Sequence, residues 1–288
     1  MTAKDTFFQI KETLNIDGKI IDLTQPKVMG ILNITPDSFF EGSRVNSEKE
    51  ILAQAEKMID EGADFLDLGA YSSRPGADDI SEKEEINRLI PCVKLISKEF
   101  PKAILSVDTF RAKVAAQAIE NGAHIINDIS GGNLDDQMFE TVAKLKVPYI
   151  LMHMKGTPQT MKDLNQYENM MQEISFYFSE KISQLKALGV NDIIVDPGFG
   201  FAKNIAQNYE LLNHFDEFRM LGYPVLAGLS RKSMIWKKLN ITANDALNGT
   251  TILNTIALQN GASILRVHDV KEAKECIKIL DLLKSHSN

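Results

Sequence analysis

The residues of this chain best suited to chemistry lie at the ends of short apolar runs, where acceptor and cationic side chains recur. Asn33, Asp67, Asp108, Asn127 and Asp196 each fall late in such a run, Ser230-Arg231-Lys232-Ser233 follows another, and Arg266 with His268 closes the last. One polar residue at a strand end is ordinarily a loop anchor or a helix cap, but the feature recurs in seven of eight runs. Arg266 and His268 are two apart, so in a strand they point to one side while Leu265 and Val267 point to the other. If the apolar pair faces covering helices, the cations face inward. Buried cations need compensation. Two partners are open to them: the carboxylates of the same set, forming an internal ion-pair network, or a bound phosphate-type anion. Lys232 favours the anion, because it precedes a helical pattern whose free N–H groups would point at a ligand.

These residues need a scaffold that gathers strand ends. The runs are Val28–Thr35, Ala63–Ala70, Ala103–Thr109, His124–Ser130, Pro148–Met154, Asp192–Gly198, Pro224–Ser230 and Ser263–Asp269, each followed by a helical pattern. Near-continuous apolar runs suit a parallel sheet covered by helices, and eight strand–helix units in a row predict a closed (β/α)8 TIM barrel, with chemistry at the C-terminal strand ends. An open doubly wound sheet is the rival. Glycines at Gly62, Gly122, Gly189 and Gly261 stop helices just before strands. Ser81 with Glu84 predicts a capping box, Ile51, Leu52, Ala55, Met58 and Ile59 trace the buried face of the first barrel helix, and Pro91 is expected to kink or restart the second. Ahead of the barrel, about residues 28–285, apolar pairs flank Asp17-Gly18 and predict a hairpin over about 13–24 that plugs the N-terminal mouth. No linker or composition shift divides residues 1–288.

Composition narrows the class. The net charge is −7 and basic residues are scattered, which argues against a nucleic-acid binder. No stretch approaches the ~20 apolar residues of a membrane span, and no secretory signal is visible. Cys92 and Cys276 sit among apolar neighbours, as packing residues of a reducing compartment would. A cytoplasmic enzyme acting on a small molecule is expected. Gly198-Phe199-Gly200 lacks the third glycine of a dinucleotide fingerprint, no P-loop or zinc spacing occurs, and His153 and His214 are expected to be structural. Three long loops, Pro36–Asn46, Tyr71–Ile80 and Lys155–Asn165, are candidates for a lid over the mouth.

Several blocks resemble one family. Met29-Gly-Ile-Leu-Asn-Ile-Thr-Pro-Asp-Ser-Phe39 is similar to the first signature of the dihydropteroate synthases of folate biosynthesis, targets of the sulfonamides. The likeness continues through Asp67-Leu-Gly-Ala-Tyr-Ser-Ser-Arg-Pro-Gly76, Ser106-Val-Asp-Thr109, Ile126-Asn-Asp128, Leu151-Met-His-Met154, Asp196-Pro-Gly-Phe-Gly-Phe201, Gly228-Leu-Ser-Arg-Lys-Ser233 and Arg266-Val-His-Asp269. The second block departs from the family's Gly-Gly-Glu-Ser-Thr-Arg-Pro-Gly: Ala70, Tyr71 and Ser73 replace its second glycine, glutamate and threonine.

The resemblance implies a transferase that joins 7,8-dihydropterin-6-ylmethyl diphosphate to 4-aminobenzoate, releasing diphosphate by an SN1-like displacement. It implies that Asp108, Asn127, Asp196, Met152, Gly228 and Lys232 hold the pterin, and that Asn33, Arg74, Arg266 and His268 hold the diphosphate, with Mg2+ at Asn33. Phe39, Ser73, Pro75, Phe201, Ser233 and Lys232 would shape the aminobenzoate pocket, and Asp108, Lys232, Arg266 and His268 would carry the catalysis. A homodimer through outer helices, Leu247–Leu258 contributing, is also implied. The competing readings are a pterin-dependent corrinoid methyltransferase, which has no diphosphate to bind, and a non-catalytic pterin-binding homologue. On this reading Arg266→Ala weakens diphosphate binding and leaves the fold intact.

Overall fold

A computed structural model of the protein describes residues 10–34, 44–71 and 79–286, and the side chains of 44–47 are not among those described. Two strands, β1 (Thr13–Ile16) and β2 (Lys19–Asp22), form an antiparallel hairpin. The barrel then runs β3 (Lys27–Asn33), α1 (Arg44–Asp60), β4 (Phe65–Gly69), α2 (Glu82–Glu99), β5 (Leu105–Asp108), α3 (Ala112–Glu120), β6 (Ile125–Asp128), α4 (Met138–Leu145) and β7 (Tyr149–Met152). It continues α5 (Met170–Ala187), β8 (Ile193–Asp196), α6 (Ile205–Asn213), β9 (Leu226–Ala227), α7 (Ser233–Leu239), α8 (Leu247–Gln259), β10 (Ile264–Val267) and α9 (Val270–Ser285). The parallel strands follow the order β8-β7-β6-β5-β4-β3-β10-β9. A parallel bridge between Val195 and Val225 joins the two ends and closes the ring. All eight expected runs are strands of this barrel, seven of them trimmed at both ends and the first, β3, starting one residue early at Lys27 and ending at Asn33, and β9 and β10 are connected by two helices instead of one.

Strand parity divides the core. Outward residues such as Val28, Leu66, Val107, Ile126, Leu151, Val195 and Leu265 pack with the helices in one continuous core. Inward residues at the strand starts, Met29, Phe65, Ile125, Ile150, Ile194, Leu226 and Ile264, pack with Leu14, Ile16 and Leu23. The hairpin is therefore the plug that the sequence predicts. Its turn places Asp17 and Gly18 at positive φ, the backbone that a two-residue hairpin requires. Asp192 Oδ1 ties it down, accepting from Asn15 N at 3.1 Å and Lys11 Nζ at 2.8 Å. With the bottom filled by apolar side chains, only the upper barrel is left for polar ones.

The helix ends and breakers behave unevenly. The four junction glycines all adopt positive φ. Ser81 Oγ accepts from Glu84 N at 3.2 Å, but Glu84 turns its own carboxylate to Arg88 Nε at 2.7 Å, so only half of the expected capping box forms. The complete box is Asn204 with Gln207, at the start of α6. Pro91 lies inside α2, which runs unbroken from Glu82 to Glu99. Lost bonding there is offset by burial of Leu89, Ile90, Cys92, Val93 and Ile96.

The plug contributes stability in proportion to what it buries. Leu14→Ala, at a fully buried site, is expected to cost about 2–5 kcal/mol in urea denaturation. Ile20→Ala, on the exposed face of the same hairpin at 66% exposure, is expected to stay within about 0.5 kcal/mol.

Candidate active site

One layer above the plug, the inward positions turn polar: Asp67 from β4, Ser106 from β5, Asn127 from β6, and Asp196 from β8, with Arg266 opposite on β10. Asp67 is fully buried, and Asn127 and Asp196 nearly so. At the next turn of the pleat, Asn33 and Asp108 end β3 and β5. Arg266 crosses this interior. Its Nε donates to Asp67 Oδ2 at 2.6 Å and its Nη2 to Asp108 Oδ2 at 2.8 Å. Asn127 Nδ2 also donates to Asp67 Oδ2, at 3.0 Å. Leu265 and Val267 are buried with the helices, so the parity expected of β10 is observed, and the cation meets an internal ion-pair network.

The electrostatics follow from burial. Desolvation pushes the Asp108 carboxyl up to about 7; Arg266 opposes that rise, while Asp67, Glu85 and Asp128 reinforce it. Asp196 is raised by burial against the pull of Lys232, and its Oδ1 accepts from Gly198 N at 2.8 Å. Burial lowers Lys232 to about 8, with Asp196 acting the other way. Burial would also lower Arg266, but Asp67 and Asp108 hold it above its ordinary range. Arg266 therefore stays charged at any pH of interest.

The last strands supply the rest. Lys232 caps the start of α7, and its Nζ donates to the Phe199 carbonyl and lies 4.9 Å from the centre of the Phe201 ring. Ser233 is the first residue of α7, and Gly228 lies beside Lys232, where a Cβ would make no more than ordinary contact with Nζ, at 3.8 Å. His268 Nδ1 lies 2.9 Å from Ser230 Oγ. Met152, 2% exposed, packs with Met154, Met161, Ala202 and Phe201 as an apolar wall. Arg231 turns away from the site, with Nε and Nη2 on the two oxygens of Asp269 at 2.9 and 2.7 Å. Phe39, Ser73, Arg74 and Pro75 lie outside the described residues, as does most of the two loops that carry them.

Two features of the site are not legible in the sequence. Asp67 falls late in its apolar run like the strand-end residues, yet it lies a layer deeper than Asn33 and Asp108, as the common acceptor for Arg266 and Asn127. Lys203 is also buried, its Nζ 3.1 Å from His153 Nδ1 and donating to the carbonyls of Gly198 and Phe201 at 3.1 Å each. Burial lowers it to about 7 and, with Lys203 adding, puts His153 well below its usual range. His153 thus supports the Gly198–Phe201 loop that holds Lys232, and no spacing in the sequence marks that pair. Tyr71, one of the departures from the family pattern, packs edge-on against Phe110 and accepts from Gln159 Nε2 at 2.7 Å. It therefore links the end of β4 to the loops after β5 and β7.

The ion-pair network revises the expectation that Arg266→Ala spares the fold. The change leaves Asp67 buried and uncompensated, so it is expected to cost about 3–5 kcal/mol of stability as well as diphosphate affinity. Urea denaturation beside ligand titration separates the two losses, and an unchanged denaturation midpoint would show that the pair contributes nothing to folding.

Comparison with known proteins fits this geometry. A family model described as pterin binding enzyme matches residues 29–268. The dihydropteroate synthases of Escherichia coli strain K12 and Haemophilus influenzae are each 41% identical over 92% of this chain, covering 94% and 97% of their own lengths. The crystal structure of Yersinia pestis dihydropteroate synthase with a sulfonamide drug complex superposes with a TM-score of 0.88 at 41% identity, over 95% of this chain and 99% of that one. That of the Xanthomonas albilineans enzyme with 4-aminobenzoic acid gives 0.87 at 35% identity, over 95% and 98%. Fold, inward polar layer and sequence agree: the chain belongs to the pterin-binding enzyme family, among the dihydropteroate synthases.

Proposed function

We propose that this chain condenses 7,8-dihydropterin-6-ylmethyl diphosphate with 4-aminobenzoate, forming 7,8-dihydropteroate and diphosphate. The observation that carries the reading is the convergence of acceptors from β5, β6 and β8 with cations from β10 and the loop after β9. Asp108, Asn127 and Asp196 present oxygens suited to the donor-rich amino-pyrimidine edge of a pterin, where charge-assisted bonds are the strong ones. Met152 offers the ring an apolar wall. Lys232 bonds the ring from the far side and, with Phe201 and Ser233, reaches toward the aminobenzoate; Phe39, Ser73 and Pro75 complete that pocket.

The bond that breaks joins the pterin methylene to a diphosphate oxygen, and its electron pair leaves with the diphosphate. Arg266, His268, Arg74 and Asn33 receive that charge. Fixed donors aimed at charge that develops in the transition state are each worth about 3 kcal/mol in comparable sites. Asp108 faces the cation developing on the ring and methylene, which favours an SN1-like route. The amine of 4-aminobenzoate then forms the C–N bond and releases a proton to solvent. It is already unprotonated at neutral pH, so the site needs no strong base.

Mg2+ fits the donor set. Among the inward-facing described residues, Asp67, Asp108 and Asp196 outnumber Arg266 and Lys232, so a diphosphate needs further positive charge. Asn33, exposed at the end of β3 beside β10, offers a neutral hard oxygen, and Mg2+ commonly takes one or two protein ligands with substrate phosphates. When bound it would neutralise charge on the diphosphate. We also place the enzyme in the cytoplasm, which suits the two buried free cysteines, and assign it a homodimer through outer helices. Ile252 on α8 and Ile279, Leu282 and Leu283 on α9 are exposed apolar side chains, and the stretch expected to contribute, Leu247–Leu258, lies within α8. The sulfonamide complex of the Yersinia pestis relative makes this chain a candidate sulfonamide target.

Diphosphate release measured with and without 4-aminobenzoate tests the reading. Release that depends on 4-aminobenzoate supports it. Release without dependence, or none, contradicts it. In the same assay kcat/KM for the pterin substrate should climb as pH rises through about 7, because burial keeps Asp108 protonated below that value and only its ionised form offers a charged acceptor. Asp108→Asn should flatten that limb.

A further inference from the structure

We infer that Asp67, which touches no substrate in the account above, sets the donor–acceptor pattern by which the site recognises its ring. The inference rests on the pterin reading of the site and names what enforces its specificity. An amide such as Asn127 is ambiguous, able to show a ligand either its carbonyl oxygen or its N–H groups. Asp67 Oδ2 removes the ambiguity. It accepts from Arg266 Nε at 2.6 Å and from Asn127 Nδ2 at 3.0 Å, and an oxygen already engaged by a guanidinium can only accept. The Nδ2 end of Asn127 is therefore turned to Asp67, and Oδ1, which accepts from no described residue, is left for the ligand. Asp108 and Asp196 flank it with carboxylate oxygens. The ring edge consequently meets acceptors throughout, and the exocyclic amino group, with two donors, is the part of a pterin that can serve two of them.

The placement of Asp67 suits orientation better than stability. It is fully buried, and its Oδ1, like Ser106 Oγ at the partnered position of β5, is buried with no hydrogen-bond partner among the described residues. A buried ion pair commonly adds no more stability than apolar residues of the same volume, and an orphaned buried oxygen adds cost. An apolar side chain at this position would fill the barrel equally well, but would release both Asn127 and Arg266. Asp67 is thus a positioning residue that acts through Asn127.

The test replaces the ring's amino group. 6-Hydroxymethylpterin and 6-hydroxymethyllumazine differ in carrying an amino or an oxo group at the same ring position, a donor against an acceptor. Calorimetric Kd values are compared for the wild type, Asp67→Asn, and the Asp67→Asn/Asn127→Asp double variant, in which the carboxylate and the amide change places and the net charge is kept. The wild type should favour the pterin by about 100-fold or more, since sites built on hydrogen bonds reject mismatched groups strongly. In Asp67→Asn the amide of Asn127 is free to turn, and the preference should shrink about tenfold. The double variant, with a group at position 127 that can only accept, should restore it. A merely structural role would weaken both ligands equally and leave their ratio unchanged, which overturns the inference. So does failure of the double variant to restore the ratio, and that arm decides the question even if Asp67→Asn alone does not fold. A wild type that does not prefer the pterin would instead remove the pterin reading, and this inference with it.

Discussion

Arg266 lies across the interior of a closed barrel, and the rest of the site is arranged around the need to compensate it. A guanidinium taken out of water is tolerable only against paired carboxylates, and Asp67 and Asp108 supply them from two neighbouring strands, at 2.6 and 2.8 Å. That requirement fixes the rotamers of three side chains together. It also sets their charges: Arg266 is held above its ordinary range while burial carries Asp108 up to about 7. The site is tuned by the scaffold before any ligand enters.

A second support lies across the mouth. Gly198, Gly200 and Ala202 all adopt positive φ, so successive peptides of the loop after β8 face alternate sides. The carbonyls of Gly198 and Phe201 meet Lys203 within, and that of Phe199 meets Lys232 toward the cavity. Backbone at Gly198 passes so close to the residue after β7 that a Cβ there would collide with the His153 carbonyl oxygen. The two lysines thus share one loop, and the Lys232 position depends on a buried contact between Lys203 and His153. Arg266 is held by side chains; Lys232 is held by backbone.

Much of this was legible in the sequence because barrel strands obey simple periodicities. Eight apolar runs, glycines before them and the two-residue spacing of Arg266 and His268 were enough to predict the architecture and the inward faces. What the sequence does not contain is stagger between strands. Asp67 reads as a strand-end residue until the register pairs it with Ser106 and brings Arg266 down to it; depth along the barrel axis is a tertiary property. Lys203 was hidden for a related reason, since nothing local distinguishes a lysine that folds back onto its own loop from one that reaches solvent. The proline in α2 and the half-formed cap at Ser81 show local preferences yielding to burial and to a nearby arginine. The loop departures Ala70 and Tyr71 gained a partial account: Tyr71 joins three mouth loops, a role that its residue type alone did not suggest.

The central claim is that the carboxylate-bound arginine and the acceptors around it form one preset receptor. A crystal structure with the dihydropterin and diphosphate both bound tests it most directly. The account predicts the amino edge of the ring within hydrogen-bond reach of Asp108, Asn127 and Asp196, with Arg266 still on Asp67 and only its remaining N–H groups turned to phosphate. A ring bound elsewhere, or an Arg266 that abandons Asp67 to reach the diphosphate, would contradict it.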